Sequence, residues 1–235
     1  MLLDSDYVLI GLPAFSLAVW AQWRLVSACR TAGRIASSSG LTGAEVSHRL
    51  MGSCSVNSVD VETTSGQLAD YYVPSGKVLR LSAGVASGRS LAAVGVAAHE
   101  AGHALQHHAR SPFLFIRSLI VPLANLCATT FWLLVLAGLV LGMFRLIIWS
   151  VFLLWCSVIA QLINLPIELD AGRRARKALV AEKLLTPEEE AIVDHVLSSA
   201  AWTHVAGVLT DIWPLRQLLS STGWPVSSGH GGESP

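Results

Sequence analysis

Apolar residues in this chain are gathered into long blocks, with polar residues in the stretches between them. The first block, residues 7 to 28, has Pro13, Gln22 and Arg24 as its main interruptions and is about as long as a helix crossing the hydrocarbon core of a bilayer. Asp4 and Asp6 precede it, where a cleaved signal peptide would carry positive charge, so it reads as a retained anchor helix. A longer block runs from Ser118 to Leu165 and is broken once, at Gly142-Met143-Phe144-Arg145. Each half is long enough to span, and the pair predicts a transmembrane helical hairpin with a very short connection at Arg145. The expected fold is mainly α and integral to the membrane, with about three transmembrane helices.

Shorter periods appear between the first block and the hairpin. Ser37-Ser38-Ser39-Gly40 reads as a linker, and Leu41 to Met51 as a short helix capped by Thr42. Residues 56 to 63 and 77 to 82 roughly alternate apolar with polar positions, with turn signals at Ser65-Gly66 and Pro74-Ser75-Gly76 between them. They predict a small β-sheet whose edge either receives an extended peptide by main-chain hydrogen bonds or is a packing ribbon. After the hairpin, Pro166 suits a helix start, and Thr186-Pro187 followed by three glutamates suits another. Residues 191 to 219 read as a helix pair interrupted near Pro214, and the Gly/Ser-rich tail from residue 221 to 235 as disordered. The predicted organisation is an anchor and linker (1–34), a region with the small sheet and the apolar helix that follows it (35–117), the hairpin (118–165), C-terminal helices (166–220) and the tail (221–235).

Composition agrees with a membrane protein: 52% of residues are hydrophobic and 14% charged, and the mean hydropathy of +0.54 lies far from that of a soluble domain. Lys and Arg are absent before the first block, number nine from Arg24 to Arg117, one at Arg145 and six after residue 165. The positive-inside rule then predicts residues 29 to 117 and the segment after 165 in the cytoplasm, with the N-terminus and Arg145 outside. Zero formal net charge and the lack of an arginine-rich stripe with interleaved aromatics argue against nucleic acid as a partner. The four cysteines include no CxxC pair, so neither a zinc knuckle nor a disulfide framework is predicted.

The chemistry is concentrated in His99-Glu100-Ala101-Gly102-His103. Positions four apart share a helix face, so His99 and His103 can reach one zinc ion while Glu100 handles a water beside it. Such a short pattern can arise by chance. Here, however, it sits in the small-residue apolar helix Ser90 to Ala98, where ionisable groups are costly unless they coordinate something. His107 does not complete the site: it would lie about 12 Å from His99 along a straight helix, and ligands of one zinc lie within about 4 Å of each other. His107 and His108 read as interfacial polar residues. Glu168, in the first turn of a helix starting at Pro166, is a better third ligand, because the hairpin returns it to the level of His103. It could also simply complement the helix dipole.

Three segments, Leu79 to His107, Leu165 to Ala175 and Ala200 to Ala206, resemble the neutral zinc metallopeptidases of the bacterial membrane, the YugP-like family. The resemblance covers residues 41 to 220 and implies a membrane-bound gluzincin with one zinc ion per chain, distantly similar to HtpX-like and CAAX-processing peptidases. Aligning Glu168, Ala171, Arg173 and Ala175 with the family pattern makes Glu168 the third ligand. The chain departs from that pattern at Gly172, where the relatives carry Asp, leaving Asp170 as a candidate partner of a zinc histidine. It departs again at Tyr71-Tyr72 and at His204, where the family tends to carry His-Tyr and Tyr. Tyr72 and His204 are therefore candidate oxyanion stabilisers of changed type.

The function expected on these grounds is hydrolysis of peptide bonds in the bacterial inner membrane, with the active site facing the cytoplasm and Glu100 as general base to a zinc-activated water. The lipid bilayer and protein or peptide substrates are the expected partners, in membrane-protein processing or quality control. One alternative is a site-2-type intramembrane protease with Asp170 as ligand, suggested by Asn164-Leu165-Pro166 and Leu169-Asp170-Ala171-Gly172. The basic run Arg173-Arg174-Ala175-Arg176-Lys177 that follows argues against it. A second is a non-enzymatic scaffold with a structural zinc, disfavoured because such sites usually have four protein ligands.

Overall fold

The computed structural model describes residues 12–56, 58–65, 70–110 and 112–221. They form seven helices and one three-stranded sheet, in the order α1 (Leu12–Gly33), α2 (Gly43–Ser53), β1 (Asp60–Thr64), β2 (Tyr71–Val73), β3 (Val78–Ser82), α3 (Ala83–Ala86), α4 (Leu91–His108), α5 (Pro112–Leu141), α6 (Phe144–Ala181) and α7 (Pro187–Ser221). The tail expected to be disordered lies, from residue 222, outside the described residues.

Helix starts follow local chemistry. Thr42 caps α2 in a capping box: its hydroxyl accepts from Glu45 N, and Glu45 Oε2 accepts from Thr42 N at 2.7 Å. Ser90 Oγ caps α4 by accepting from Ala93 N at 3.3 Å. Thr186 and Glu189 form the same reciprocal pair at the start of α7. Glu189 also accepts from both the backbone N–H and the hydroxyl of Ser38, each at 2.6 Å. The serine-rich segment predicted as a linker is therefore tied down, and an isolated bridge between Ala36 and Ser90 secures its other side.

The sheet has strand order β1-β3-β2, β1 parallel and β2 antiparallel to β3. β3 alternates inward Leu79 and Leu81, both fully buried, with outward Arg80. Asp70 closes the far end of the β2–β3 ribbon by accepting from Ser82 N at 2.7 Å. The inner face of the sheet meets one apolar core with Val46 and Leu50 of α2, Val94, Ala98 and Ala101 of α4, and Val193 and Val196 of α7. Helix α4 runs through this core and packs on α2, α6 and α7, so its small residues let three helices approach it closely.

Helices α5 and α6 form the expected hairpin, turning through Gly142 at φ +64°, a conformation glycine adopts without penalty. Their outward side chains, among them Leu126, Trp132, Leu139, Trp149 and Phe152, are exposed, as on surfaces that face lipid. Among the described residues two helices, Ile116–Leu141 and Phe144–Ala181, are long and apolar enough to cross a membrane, not three. The described part of the first block, α1, carries Gln22, Arg24 and Arg30 along its length, which dilutes its hydropathy. It packs on α7, with Arg24 Nε donating to Ser199 Oγ at 3.2 Å and Trp20 edge-on to Trp202.

Two proline-based boundaries are also corrected. Pro166 does not start a helix: α6 runs unbroken through it to Ala181, and proline removes only one N–H and its i−4 hydrogen bond from a helix otherwise held by packing. Pro214 likewise lies inside the continuous α7.

Candidate metal centre

His99, Glu100 and His103 lie on successive turns of α4. The glycine between the histidines brings the rest of the site to them. A Cβ on Gly102 would collide with Ala171 O and stand 3.1 Å from Ala171 C, so only glycine permits this approach of the α4 and α6 backbones. Three residues before Ala171, on the same face of α6, stands Glu168. Its Oε2 lies 3.2 Å from His99 Nε2 and 3.6 Å from His103 Nε2. The three ligand atoms fall within 4.8 Å of one another.

These residues fit a zinc ion. Ligand atoms about 2.0–2.2 Å from a tetrahedral zinc are separated by about 3.3–3.5 Å, and two imidazoles with one carboxylate are a frequent catalytic set. His103 is fully buried, yet its Nε2 has no hydrogen-bond partner among the described residues, an expensive vacancy unless a cation answers it.

The ring of His103 is held by a residue that sequence reasoning missed. Gln106, also buried, receives the Nδ1–H of His103 on Oε1 at 3.0 Å and donates from Nε2 to Ile167 O at 2.9 Å and Asp170 Oδ2 at 2.8 Å. Both partners of Nε2 are acceptors, so the amide has one satisfying orientation; Nδ1 of His103 carries the proton and the Nε2 lone pair faces Glu168. The visible signal was a buried-side polar residue at i+3 from His103 on an apolar helix. Asp170 is therefore linked to His103 through Gln106, and its oxygens are further engaged by Arg174 at 2.7 Å and Arg173 at 3.8 Å.

Arg117, near the start of α5, was also missed. It donates from Nε and Nη2 to Glu168 Oε1 at 3.1 and 3.0 Å, leaving Oε2 to the histidines. Nothing in sequence singles out this cation from any other preceding an apolar span. Glu100 lies close to His103, His99 and Arg117, and burial raises its carboxyl above the ordinary range against their attraction. Burial alone would lower the His99 imidazole, but its bond to Glu168, aided by Glu100, outweighs this and raises it.

The two candidate oxyanion donors fall in different places. His204 of α7 brings Nε2 to 3.7 Å from Glu168 Oε2. Tyr72 is buried on β2, with its hydroxyl 2.6 Å from Nδ1 of His107, one turn beyond His103. His107 is thus the partner of a buried tyrosine rather than an interfacial polar residue. Among the described residues His103 and Glu168 are enclosed, while the His99 side chain is 18% exposed beside a cavity of about 580 Å³ between α6 and α7.

A two-histidine, one-glutamate cluster beneath an apolar hairpin defines a zinc-peptidase type of site in a membrane-associated chain. Comparison with known proteins agrees. Residues 7–222 match the family described as "Putative neutral zinc metallopeptidase", and the chain belongs to that family. Over 213 residues, 91% of this chain and 95% of the relative, it is 38% identical to the Bacillus subtilis (strain 168) protein named "Putative membrane protease YugP". No solved structure matches it.

Proposed function

We propose that the chain is a membrane-bound zinc endopeptidase of gluzincin type, with His99, His103 and Glu168 as ligands of one zinc ion. The observation that carries this reading is the convergence of Glu168 Oε2 on two imidazole Nε2 atoms, one of them buried and otherwise unpartnered. When bound, zinc supplies a Lewis acid that acidifies water and polarises a peptide carbonyl. Glu100, with its carboxyl raised by burial, accepts the proton of the attacking water and returns it to the leaving amine. Arg117 holds Oε1 of Glu168 so that Oε2 remains with the histidines. Gln106 keeps the proton of His103 on Nδ1. His204, on the open side of the cluster, donates to the oxygen on which negative charge develops.

The hairpin inserts in the bacterial inner membrane and the site faces the cytoplasm, where the enzyme processes or clears membrane proteins. In support, Arg145 is the sole Lys or Arg between Ser118 and Leu165, while basic residues flank that stretch at Arg110, Arg117 and Arg173 to Lys177. A membrane-impermeant maleimide applied to intact spheroplasts should label Arg145→Cys and leave the exposed Cys54 unlabelled.

The test is zinc content and casein cleavage by detergent-purified wild type, Glu100→Gln, Glu168→Ala and Asp170→Ala. Zinc kept with activity lost in Glu100→Gln, and zinc lost in Glu168→Ala but not in Asp170→Ala, is the expected pattern. Zinc loss in Asp170→Ala alone would favour the intramembrane alternative. Bound zinc without cleavage of any substrate would favour a scaffold.

A further inference from the structure

We propose that the cleft between α6 and α7 holds the stretch of substrate on one side of the scissile bond and selects a large apolar side chain there. This inference rests on the peptidase reading above. The cavity of about 580 Å³ is continuous with the metal centre, because His99 and Glu168 form part of its wall and His99 is the exposed ligand. α6 and α7 run antiparallel along it. Glu168 stands 3.7 Å from His204 at one end, and Arg176 meets Asp194 at 2.9 Å at the other. Eight residues of helix separate Glu168 from Arg176, a run of about 12 Å, which matches three to four residues of extended peptide.

The walls of the cleft suit apolar side chains. Leu169 of α6 and Leu197, Ala201, Trp202 and Val205 of α7 line it. Directly beside the metal centre the wall is Gly172, where an added Cβ would meet only His99 Nδ1, at 4.0 Å. The space there is space a side chain would fill, and the volume lies within the range of pockets that bury a small ligand. Gly172 and Ala201 therefore set the size of side chain accepted, while neither is a metal ligand.

The test compares wild type with Gly172→Leu and with Ala201→Leu, which narrows the same cleft from α7. Zinc content of each is measured first and should equal that of wild type. A peptide library varied at the positions flanking one cleavage site then gives relative kcat/KM values, and fluorescence anisotropy gives binding of labelled peptides to the same variants in a Glu100→Gln background. Wild type should favour Phe or Leu over Ala about tenfold or more at one flanking position. Both leucine variants should lose that preference in cleavage and in binding while still handling the Ala peptide. Cleavage with the apolar preference intact in both variants would overturn the inference and leave the peptidase reading standing. Absence of cleavage by zinc-loaded wild type would overturn the peptidase reading, and the binding measurements would still decide what the cleft selects.

Discussion

Replacing Gln106 by Leu removes three hydrogen bonds at nearly constant volume and tests whether the tautomer of His103 is imposed from outside the metal centre. The lost contacts are to His103 Nδ1 (3.0 Å), Ile167 O (2.9 Å) and Asp170 Oδ2 (2.8 Å). Asp170 keeps Arg174 at 2.7 Å and Ile167 O belongs to a helix, so the cost falls chiefly on the buried Nδ1–H of His103. A stranded buried donor costs about 1–3 kcal/mol, which should appear as lowered stability of the metal-free protein. Freed of Gln106, the imidazole can rotate or carry its proton on Nε2, the atom that faces Glu168. Loss of such an outer partner typically weakens metal binding about 10- to 100-fold, or about 1.4–2.7 kcal/mol. Competition with a chromophoric chelator in detergent solution, alongside thermal melting of the metal-free protein, measures both effects. Zinc affinity within about threefold of wild type in Gln106→Leu would refute the reasoning, because the ring orientation would then be set without the amide.

Gly102→Ala should push α4 away from α6, since its Cβ collides with Ala171 O; overpacking of this kind costs about 1–3 kcal/mol, and loss of stoichiometric zinc, read by metal analysis, is the accompanying outcome. Gly172→Asp should tighten zinc binding in the same chelator competition, because a Cβ 4.0 Å from Nδ1 of His99, which has no hydrogen-bond partner among the described residues, brings a carboxylate within reach of it. Tyr72, 3% exposed, has its phenol pushed up to about 12 by burial, above the ordinary value of about 10. A group with a raised folded-state pKa stabilises the fold fully below its unfolded value, and this contribution is lost as pH rises from about 10 towards 12. Wild type should therefore lose about 2–3 kcal/mol more than Tyr72→Phe across that window, measured by unfolding at both ends.

The parts of the fold most legible in the sequence rest on one strong local signal each. The hairpin is visible because hydrocarbon length and a single break at Gly142 admit few other arrangements, and the cap of α2 because Thr42 and Glu45 satisfy each other within four residues. The two histidines are legible as a pair because helix periodicity is enough to bring them together. The errors occur where packing overrides a local preference. Pro166 and Pro214 look like boundaries and are carried inside helices. Ser37 to Gly40 looks like a linker, but Ser38 finds Glu189, 151 residues further along the chain. α1 is long enough to span, and its described residues nevertheless pack on α7 around Arg24 and Ser199.

Uninterrupted passage of α6 through Pro166 matters beyond the boundary itself. Had a new helix begun there, Glu168 would sit in a first turn free to pivot on the preceding loop. Instead Glu168 belongs to the same rod as the hairpin residues up to Phe144, and its other oxygen is held by Arg117 from the second rod of that hairpin. The carboxylate is thereby positioned by the two helices able to cross a membrane, and the histidines by the core helix α4. The Gly102–Ala171 approach is where these two bodies meet. Any change in how the hairpin sits against α4 must move Glu168 relative to His99 and His103, so the geometry of the metal centre is coupled to the packing of the membrane helices by the backbone of α6 itself.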